Sequence, residues 1–440
     1  MNARYSILLL IFLFICPVTW TDSLFFEKSE MLVAALAEHG FENIHVSVRQ
    51  NNTIAIQYEN RLYRNELFAS GIVAALVNDL LDEEARIALV PCRRALPICE
   101  LEIDLRDYRH LLAAHAEDGN YDVVRVKSPA ASTPLRPTGV TKPSFGKLDI
   151  TLYPAFSVHL GNYDDRFKMF FALMPVLSTT LWRGAAVYVE ASIPIYNDVN
   201  YHYYRFKDYA QISKAAFSQI VRLPYDFVTS VNVGAFNPNR WGVSGEVLRH
   251  FMHRHLAVGY SIEYTGFLLY YDQEWNYSDM RTTTSKLYAT YYADLLDCQF
   301  GVSYNKYIMQ DAGPMFEFSR NFQETMVGCF FGATELDKFG GIMLRFPFSP
   351  QRRPRPRIVR LATPSYYDYS YRATNVIYTQ HAPIQTGISV YTGTKLTYLY
   401  LNLTPSYVRN NLRVYREAYN YLTLESDRQD EDEYLFKEKD

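Results

Sequence analysis

The sequence carries no excess charge of either sign. Lys and Arg number 44 against 47 Asp and Glu, a formal net charge of −3, and charged residues fill only 21% of its 440 positions. A dedicated nucleic-acid binder would carry a strongly basic face or stripe, so that class is set aside. Cysteine is scarce, at five residues. Beyond the first residues no run reaches the roughly 18 apolar positions that a membrane-spanning helix requires. A Gly-rich phosphate loop, a G-x-S-x-G elbow and a Cys–His nucleophile set are all missing. What is plentiful is apolar and aromatic: 48% hydrophobic and 15% aromatic, with 37 Tyr and 27 Phe. That content excludes intrinsic disorder, and the length suffices for two or three domains with a real core. Two classes remain: a large soluble β-protein, or a β-barrel whose hydrophobicity is hidden by alternation.

The amino terminus points to the envelope. Arg4 precedes the apolar stretch from Ile7 to Cys16, and small residues at Thr19 and Thr21 follow. Residues 1–21 therefore read as a secretory signal, with a buried helix as the alternative. Ile15 occupies the place where a lipobox needs a small residue, so lipidation of Cys16 is not expected. Four cysteines remain, which suits an oxidising compartment. Cys92 and Cys99 flank Arg93 to Ile98 and could staple a loop as a disulfide, whereas Cys298 and Cys329 look like isolated wall residues.

Residues 22–125 pattern as a small α+β domain. Ser29 can cap a helix running to about His39, with Gly40 as its stop. Two alternating segments, 44–48 and 53–58, meet at Gln50-Asn51-Asn52 as a hairpin. A second helix is expected over 64–81, strands over 87–91 and 99–104, and a closing helix over 107–115. Residues 126–145 hold Pro129, Pro134, Pro137 and Pro143 among Ser and Thr, the mark of a linker.

From 146 to 348 the pattern changes. Between Leu148 and Leu160 nearly every second residue is apolar, and a strand of about a dozen residues is what a tilted membrane crossing requires. Soluble strands average about five or six. The alternation returns at Val187, Val189, Ala191, Ile193 and Ile195, then at Leu256, Val258, Tyr260 and Ile262. Further strands are expected near 167–180, 209–222, 226–236, 241–251, 285–296, 299–308, 313–320, 324–334 and 340–348, about twelve in all, an even number suited to closure. A soluble sandwich or propeller is the competing reading. Tyr288, Tyr291 and Tyr292 would suit an interfacial girdle. Tight turns at 252–254 and 296–298 would face the periplasm and longer loops at 197–208 and 266–283 the outside, placing His202, Tyr203, Tyr204, Trp275 and Tyr277 where rings could stack on sugars.

The carboxyl-terminal third reads as a basic, Tyr-rich linker (349–379), a segment resembling the first domain (380–424) and an acidic, disordered tail (425–440). The resemblance pairs 388–393 and 395–402 with the hairpin 44–60, and Tyr407 with Tyr63 before a helix. Two more barrel strands are the alternative. The fold class is therefore mainly β: an antiparallel outer-membrane barrel, a small amino-terminal α+β periplasmic module and a partial carboxyl-terminal copy of it.

Candidate chemistry is sparse. His250, His253 and His255 are close in sequence but lack a completing Cys or carboxylate, so no metal site is expected. Glu190, Glu246, Glu263 and Glu317 fall on lumen-facing positions. Paired carboxylates could hydrolyse a glycoside, but as barrel-filling residues bonded to Arg, Tyr or Ser they need no catalytic role. Arg352, Arg353, Arg355 and Arg357 could meet an anionic polysaccharide or lipid phosphates, or form a solvated linker. No cofactor and no catalytic residue is assigned.

The run Asn239-Arg240-Trp241-Gly242-Val243-Ser244-Gly245-Glu246-Val247-Leu248, followed by Ala257-Val258-Gly259, resembles the YjbH family of exopolysaccharide biosynthesis proteins. Gly313 to Arg320, Gly332, Lys338 to Ile342 and Leu344 to Phe348 continue the likeness in order. Glu59-Asn60-Arg61-Leu62-Tyr63-Arg64 is similar to the family's E-N-x-x-Y-R segment before a helix. The resemblance implies a Gram-negative-type outer-membrane barrel with a periplasmic module, serving biosynthesis or export of an extracellular or capsular polysaccharide. Its implied partners are the polysaccharide, other envelope proteins of the secretion system and outer-membrane lipid, with no nucleic acid. An enzyme using the lumen carboxylates and a plain porin are the competing functions.

Overall fold

The computed structural model describes residues 19–49, 53–80, 85–113, 123–129, 143–160, 167–198, 209–236, 239–271, 274–308, 310–355, 358–374 and 395–437. Most of the signal segment, most of the Pro-rich linker, His202, Tyr203, Tyr204, Arg357 and the first third of the suggested repeat lie outside the described residues.

The first 130 residues build a mixed sheet. Its elements are α1 (Thr19–Glu38), β1 (Glu42–Arg49), β2 (Thr53–Glu59), α2 (Glu66–Asn78), β3 (Arg86–Arg93), β4 (Leu96–Pro97), β5 (Glu100–Asp104), α3 (Leu105–Ala113) and β6 (Val124–Lys127). The strand order is β1-β2-β3-β5-β6, with β4 on β3. Strands β2 and β3 are parallel, so the chain between them must cross over, and α2 is that crossover. Asn65 starts α2 by accepting the Leu67 N–H. Ser29 is buried inside α1 and caps nothing, because the helix already runs from Thr19. Part of the expected linker is strand β6, paired with β5.

The second sheet holds fifteen strands. They are β7 (Leu148–Leu160), β8 (Phe167–Trp182), β9 (Ala185–Asn197), β10 (Gln211–Leu223), β11 (Phe227–Phe236), β12 (Arg240–Phe251), β13 (Leu256–Tyr271), β14 (Glu274–Tyr277), β15 (Thr282–Ala293), β16 (Cys298–Lys306), β17 (Ala312–Phe322), β18 (Thr325–Ala333), β19 (Lys338–Pro347), β20 (Val359–Ala362) and β21 (Tyr366–Thr374). An antiparallel meander runs from β7 to β19 and on to β21, with β14 as a side ribbon on β13. Strand β20 joins the opposite edge, parallel to β7. Only Thr363-Pro364-Ser365 separate β20 from β21, so the chain draws the two edges of the wall together. Among the described residues no ladder joins β7 to β21, so the wall is not hydrogen-bonded shut.

The expected linker 349–379 thus contributes two strands. Its Tyr content concealed an alternation in which Tyr367, Tyr369 and Tyr371 occupy one face and Asp368, Ser370 and Arg372 the other.

The wall is apolar outside and polar inside. Ile193, Ile195, Val231, Val233, Ile262, Tyr264, Val302, Phe316 and Phe331 are exposed, while Ser192, Ser230, Asn232, Glu263, Ser303 and Ser319 between them are buried. Two girdle candidates correct to the inner face: Tyr288 and Tyr292 are buried and Tyr291 alone points out. The reason is cross-strand: Tyr288 faces Gly259, and a Cβ there would lie 2.3 Å from the Tyr288 ring. The missing side chain is the seat of the ring.

The described part of the carboxyl-terminal segment, from residue 395, does not repeat the hairpin of the first domain. Residues Leu396–Tyr400 form a 3-10 turn, not a strand, because Leu396, Leu399, Tyr400 and Leu403 are buried at helical spacing. Helices α4 (Pro405–Asn410) and α5 (Arg413–Lys437) follow. The acidic tail therefore continues this helix as far as Lys437 instead of being disordered. Helix α5 packs on α2, and Tyr415 and Ala418 join the same hydrophobic core as Leu36, Ile56, Leu89 and Ile103. The segment completes the module that the first 130 residues begin.

Candidate functional site

The module docks on the end of the wall where its strands turn tightly. Arg94 and Ala95 both adopt the left-handed region, giving the two-residue hairpin between β3 and β4. This tip enters the turn after β8: the Gly184 N–H donates to the Arg94 carbonyl, and a Cβ on Gly184 would collide with the Ile220 carbonyl at 2.1 Å. The Arg94 guanidinium reaches Ser218 Oγ at 3.3 Å and the Tyr188 hydroxyl at 3.4 Å on the inner face of the wall.

The segment Glu59 to Arg64 bolts the two parts together. Glu59 accepts from Asn43 at 2.6 Å and from the Arg94 and Ala95 main-chain N–H groups at 2.9 and 3.1 Å. Asn60 folds the turn by accepting from the Leu62 and Tyr63 N–H groups. Arg61 pairs with Asp149 of β7 at 2.6 Å. Tyr63 is buried in the core, and burial pushes its hydroxyl up to about 12. Arg64 binds Glu324, in the turn between β17 and β18, through both Nε and Nη2 at 2.9 and 2.7 Å.

Between these contacts lies a polar cavity of about 270 Å³. Six arginines line it, Arg61, Arg64, Arg93, Arg94, Arg353 and Arg360, against four carboxylates, Glu59, Glu66, Asp149 and Asp368. Asp149 serves both Arg61 and Arg360, and Asp368 serves Arg345. Burial drives the Glu66 carboxyl up to about 7, opposed by Asn60, which donates to it at 3.0 Å.

The lumen glutamates are engaged separately. Glu190 pairs with Lys214 at 2.7 Å and accepts from Ser213. Glu246 accepts from the Tyr288 hydroxyl at 2.6 Å and from the Leu396 N–H at 3.1 Å. Glu263 accepts from Thr284. Glu317 lies beneath Gly301, whose absent Cβ would stand 3.1 Å from its carboxylate. His250 packs edge-on against Tyr400, and His255 bonds the Tyr292 carbonyl, so the three histidines are not brought together. Among the described residues no group of His, Cys, Asp and Glu could hold a metal ion. Trp275 and Tyr277 are exposed on β14.

Two readings are corrected here. Cys92 and Cys99 are free thiols. Leu89 faces Leu101 in the β3–β5 ladder and Cys92 faces Pro97 in the β3–β4 pair, so the register shifts by one residue between the two cysteines and no bond joins them. Burial holds the Cys99 thiol up at about 12. Arg352 and Arg353 are not a solvated linker: Arg352 ion-pairs Glu425 of α5 and donates to the Tyr421 hydroxyl, while Arg353 donates to Ser365. Arg355 alone of the described run is exposed.

The family described as "Exopolysaccharide biosynthesis protein YbjH" (YjbH) matches residues 25–350. The chain belongs to the YjbH family. A comparison with curated proteins finds no match. A solved structure, OmpTdeltaL8 (loop L8 deletion mutant of OmpT), an outer membrane protein of Vibrio cholerae, is similar at 8% identity and a TM-score of 0.31, over 52% of this chain and 94% of that one. In this YjbH-family chain the E-N-R-L-Y-R segment is the docking bolt. The N-R-W-G segment fixes the opposite end of the wall, where Arg240 bonds Thr265 and Trp241 donates to the Ser278 carbonyl. The cavity went unseen in the sequence because its arginines come from segments nearly 300 residues apart.

Proposed function

We propose that this chain is an outer-membrane β-barrel protein that assists biosynthesis or export of an extracellular or capsular polysaccharide, without a catalytic step of its own. The observation that carries the membrane placement is the reversed wall, apolar outward and polar inward. None of the described helices is long and apolar enough to cross a membrane. The polysaccharide role rests on family membership. With tight turns facing the periplasm, the docked module is periplasmic and is the surface offered to other envelope proteins of the secretion system. The absence of catalysis is supported by Glu190, Glu246 and Glu263, whose oxygens are spent on Lys214, Tyr288 and Thr284.

The test is deletion of the gene with measurement of surface polymer amount, length and location, alongside heat-modifiable migration of the outer-membrane fraction. Reduced or misplaced polymer is expected. Unchanged polymer defeats the polysaccharide role, and a soluble protein without heat-modifiable migration defeats the barrel. Secretion that is lost when all four lumen glutamates become glutamine would favour the enzyme instead.

A further inference from the structure

The cavity between module and wall holds more positive charge than its own carboxylates neutralise. Asp149 is committed to Arg61 and Arg360, Asp368 to Arg345, and Glu59 to Asn43 and two main-chain N–H groups. Arg64 is committed to Glu324, and the Arg94 guanidinium is held on the wall by the Ser218 and Tyr188 hydroxyls, which leaves Arg93 and Arg353. Arg93 donates only to the Tyr398 carbonyl, at 3.4 Å, and the Arg353 side chain only to Ser349 and Ser365 hydroxyls. No carboxylate lies within ion-pair distance of either among the described residues. Both guanidinium groups line the cavity, Arg93 exposed and Arg353 half-buried, and the Arg93 charge acts on Arg353. A guanidinium with no ion-paired carboxylate keeps its fork open, and that fork matches a planar or tetrahedral oxyanion. Glu66 compensates weakly, since a carboxyl held near 7 carries only part of a charge at neutral pH.

We propose that this cavity binds an oxyanion group carried on a glycan, a carboxylate or phosphate substituent, between Arg93 and Arg353. The glycan half of the assignment rests on the polysaccharide reading above; the anion half rests on the geometry. The volume of about 270 Å³ lies just below the usual range for small-ligand pockets and admits one sugar-sized group, with Tyr153 and Tyr188 on its wall. Its position at the tight-turn end places it where a polymer entering the lumen from the module side would pass.

Isothermal titration of the full-length chain, folded in detergent, tests this with three probes: a glucuronate-containing hexasaccharide, a neutral dextran oligosaccharide of equal length, and inorganic phosphate. The acidic sugar is expected to bind saturably, more weakly as salt rises, and about tenfold or more tighter than the neutral one. Arg93→Gln and Arg353→Gln should each lose about tenfold with heat-modifiable migration intact, Arg93→Lys should lose less, and Arg355→Gln should change nothing. Equal binding of the neutral sugar, no binding of the acidic one, or binding unchanged in both glutamine variants overturns the proposal. Phosphate bound alone at the same arginines leaves an anion site and removes the glycan. Reduced polymer in the deletion strain with a negative titration keeps the polysaccharide role and removes the site; the reverse result keeps the site and removes the role.

Discussion

Lys214 and Glu190 meet across the β9–β10 pair with 2.7 Å between Nζ and Oε2, their side chains only 2% and 1% exposed. Each charge is tolerable inside the wall because the other is there. Lys214→Met should therefore cost about 3–5 kcal/mol by leaving Glu190 alone, whereas Glu190→Gln with Lys214→Met should recover most of it. Urea unfolding followed by heat-modifiable migration measures both. Equal loss in the single and double variants would mean that packing, not charge pairing, sets the site.

Helices α2 and α5 approach each other through Gly71. A Cβ there would stand 2.8 Å from the Ala418 Cβ and 3.3 Å from the Tyr415 Cα, so backbone must give way. Gly71→Ala gains about 1 kcal/mol of helix propensity. Overpacking of this kind costs roughly 1–3 kcal/mol, and net destabilisation is expected. Adding Ala418→Gly should reverse the loss. Thermal unfolding of the pair of variants is the check, and a stabilised Gly71→Ala would show that the helices part easily.

Glu66 gives the module a pH dependence. Its carboxyl is held near 7 when folded, chiefly by burial, against an ordinary value of 4.5. The folded chain thus binds that proton more tightly than the unfolded one, so its contribution is full below about pH 4.5 and is lost as pH rises towards 7. Glu66→Gln removes the slope. Relative to that variant, the natural chain should lose stability between pH 4.5 and 7; a constant difference in melting temperature across that range would refute the assignment.

The thiols of Cys92 and Cys99 are buried and raised by that burial, so both should resist alkylation at pH 8 in the folded chain and react once denatured. Mass spectrometry after sequential native and denaturing alkylation reads this directly. A Cys92–Cys99 cross-link in the tryptic map would overturn the free-thiol assignment.

The wall was readable from the sequence because a strand with one apolar and one polar face must alternate along its whole length, as Val187 to Ile195 and Leu256 to Ile262 do. What escaped was set by partners distant in the chain. Tyr288 looks like a girdle residue until Gly259 is placed opposite it. Lys395 to Asn402 alternates like a strand, yet a short turn under the wall buries Leu396, Leu399 and Tyr400 instead. The Tyr-rich stretch 366–374 alternates too, but its basic approach from Arg352 to Arg360 suggested a solvated connection. Arg352 and Arg360 are instead taken by Glu425 and Asp149, neither of which local spacing reveals.

The module's core is divided between the two ends of the chain, with the wall as a long insertion between them. Leu36 and Ile56 are made first, Tyr415 and Ala418 last. A chain that stops before α5, or whose strands fail to come round so that Arg352 cannot reach Glu425, leaves α2 with an open apolar face. The module's core is therefore closed only when the chain has come round the whole wall and brought α5 onto α2.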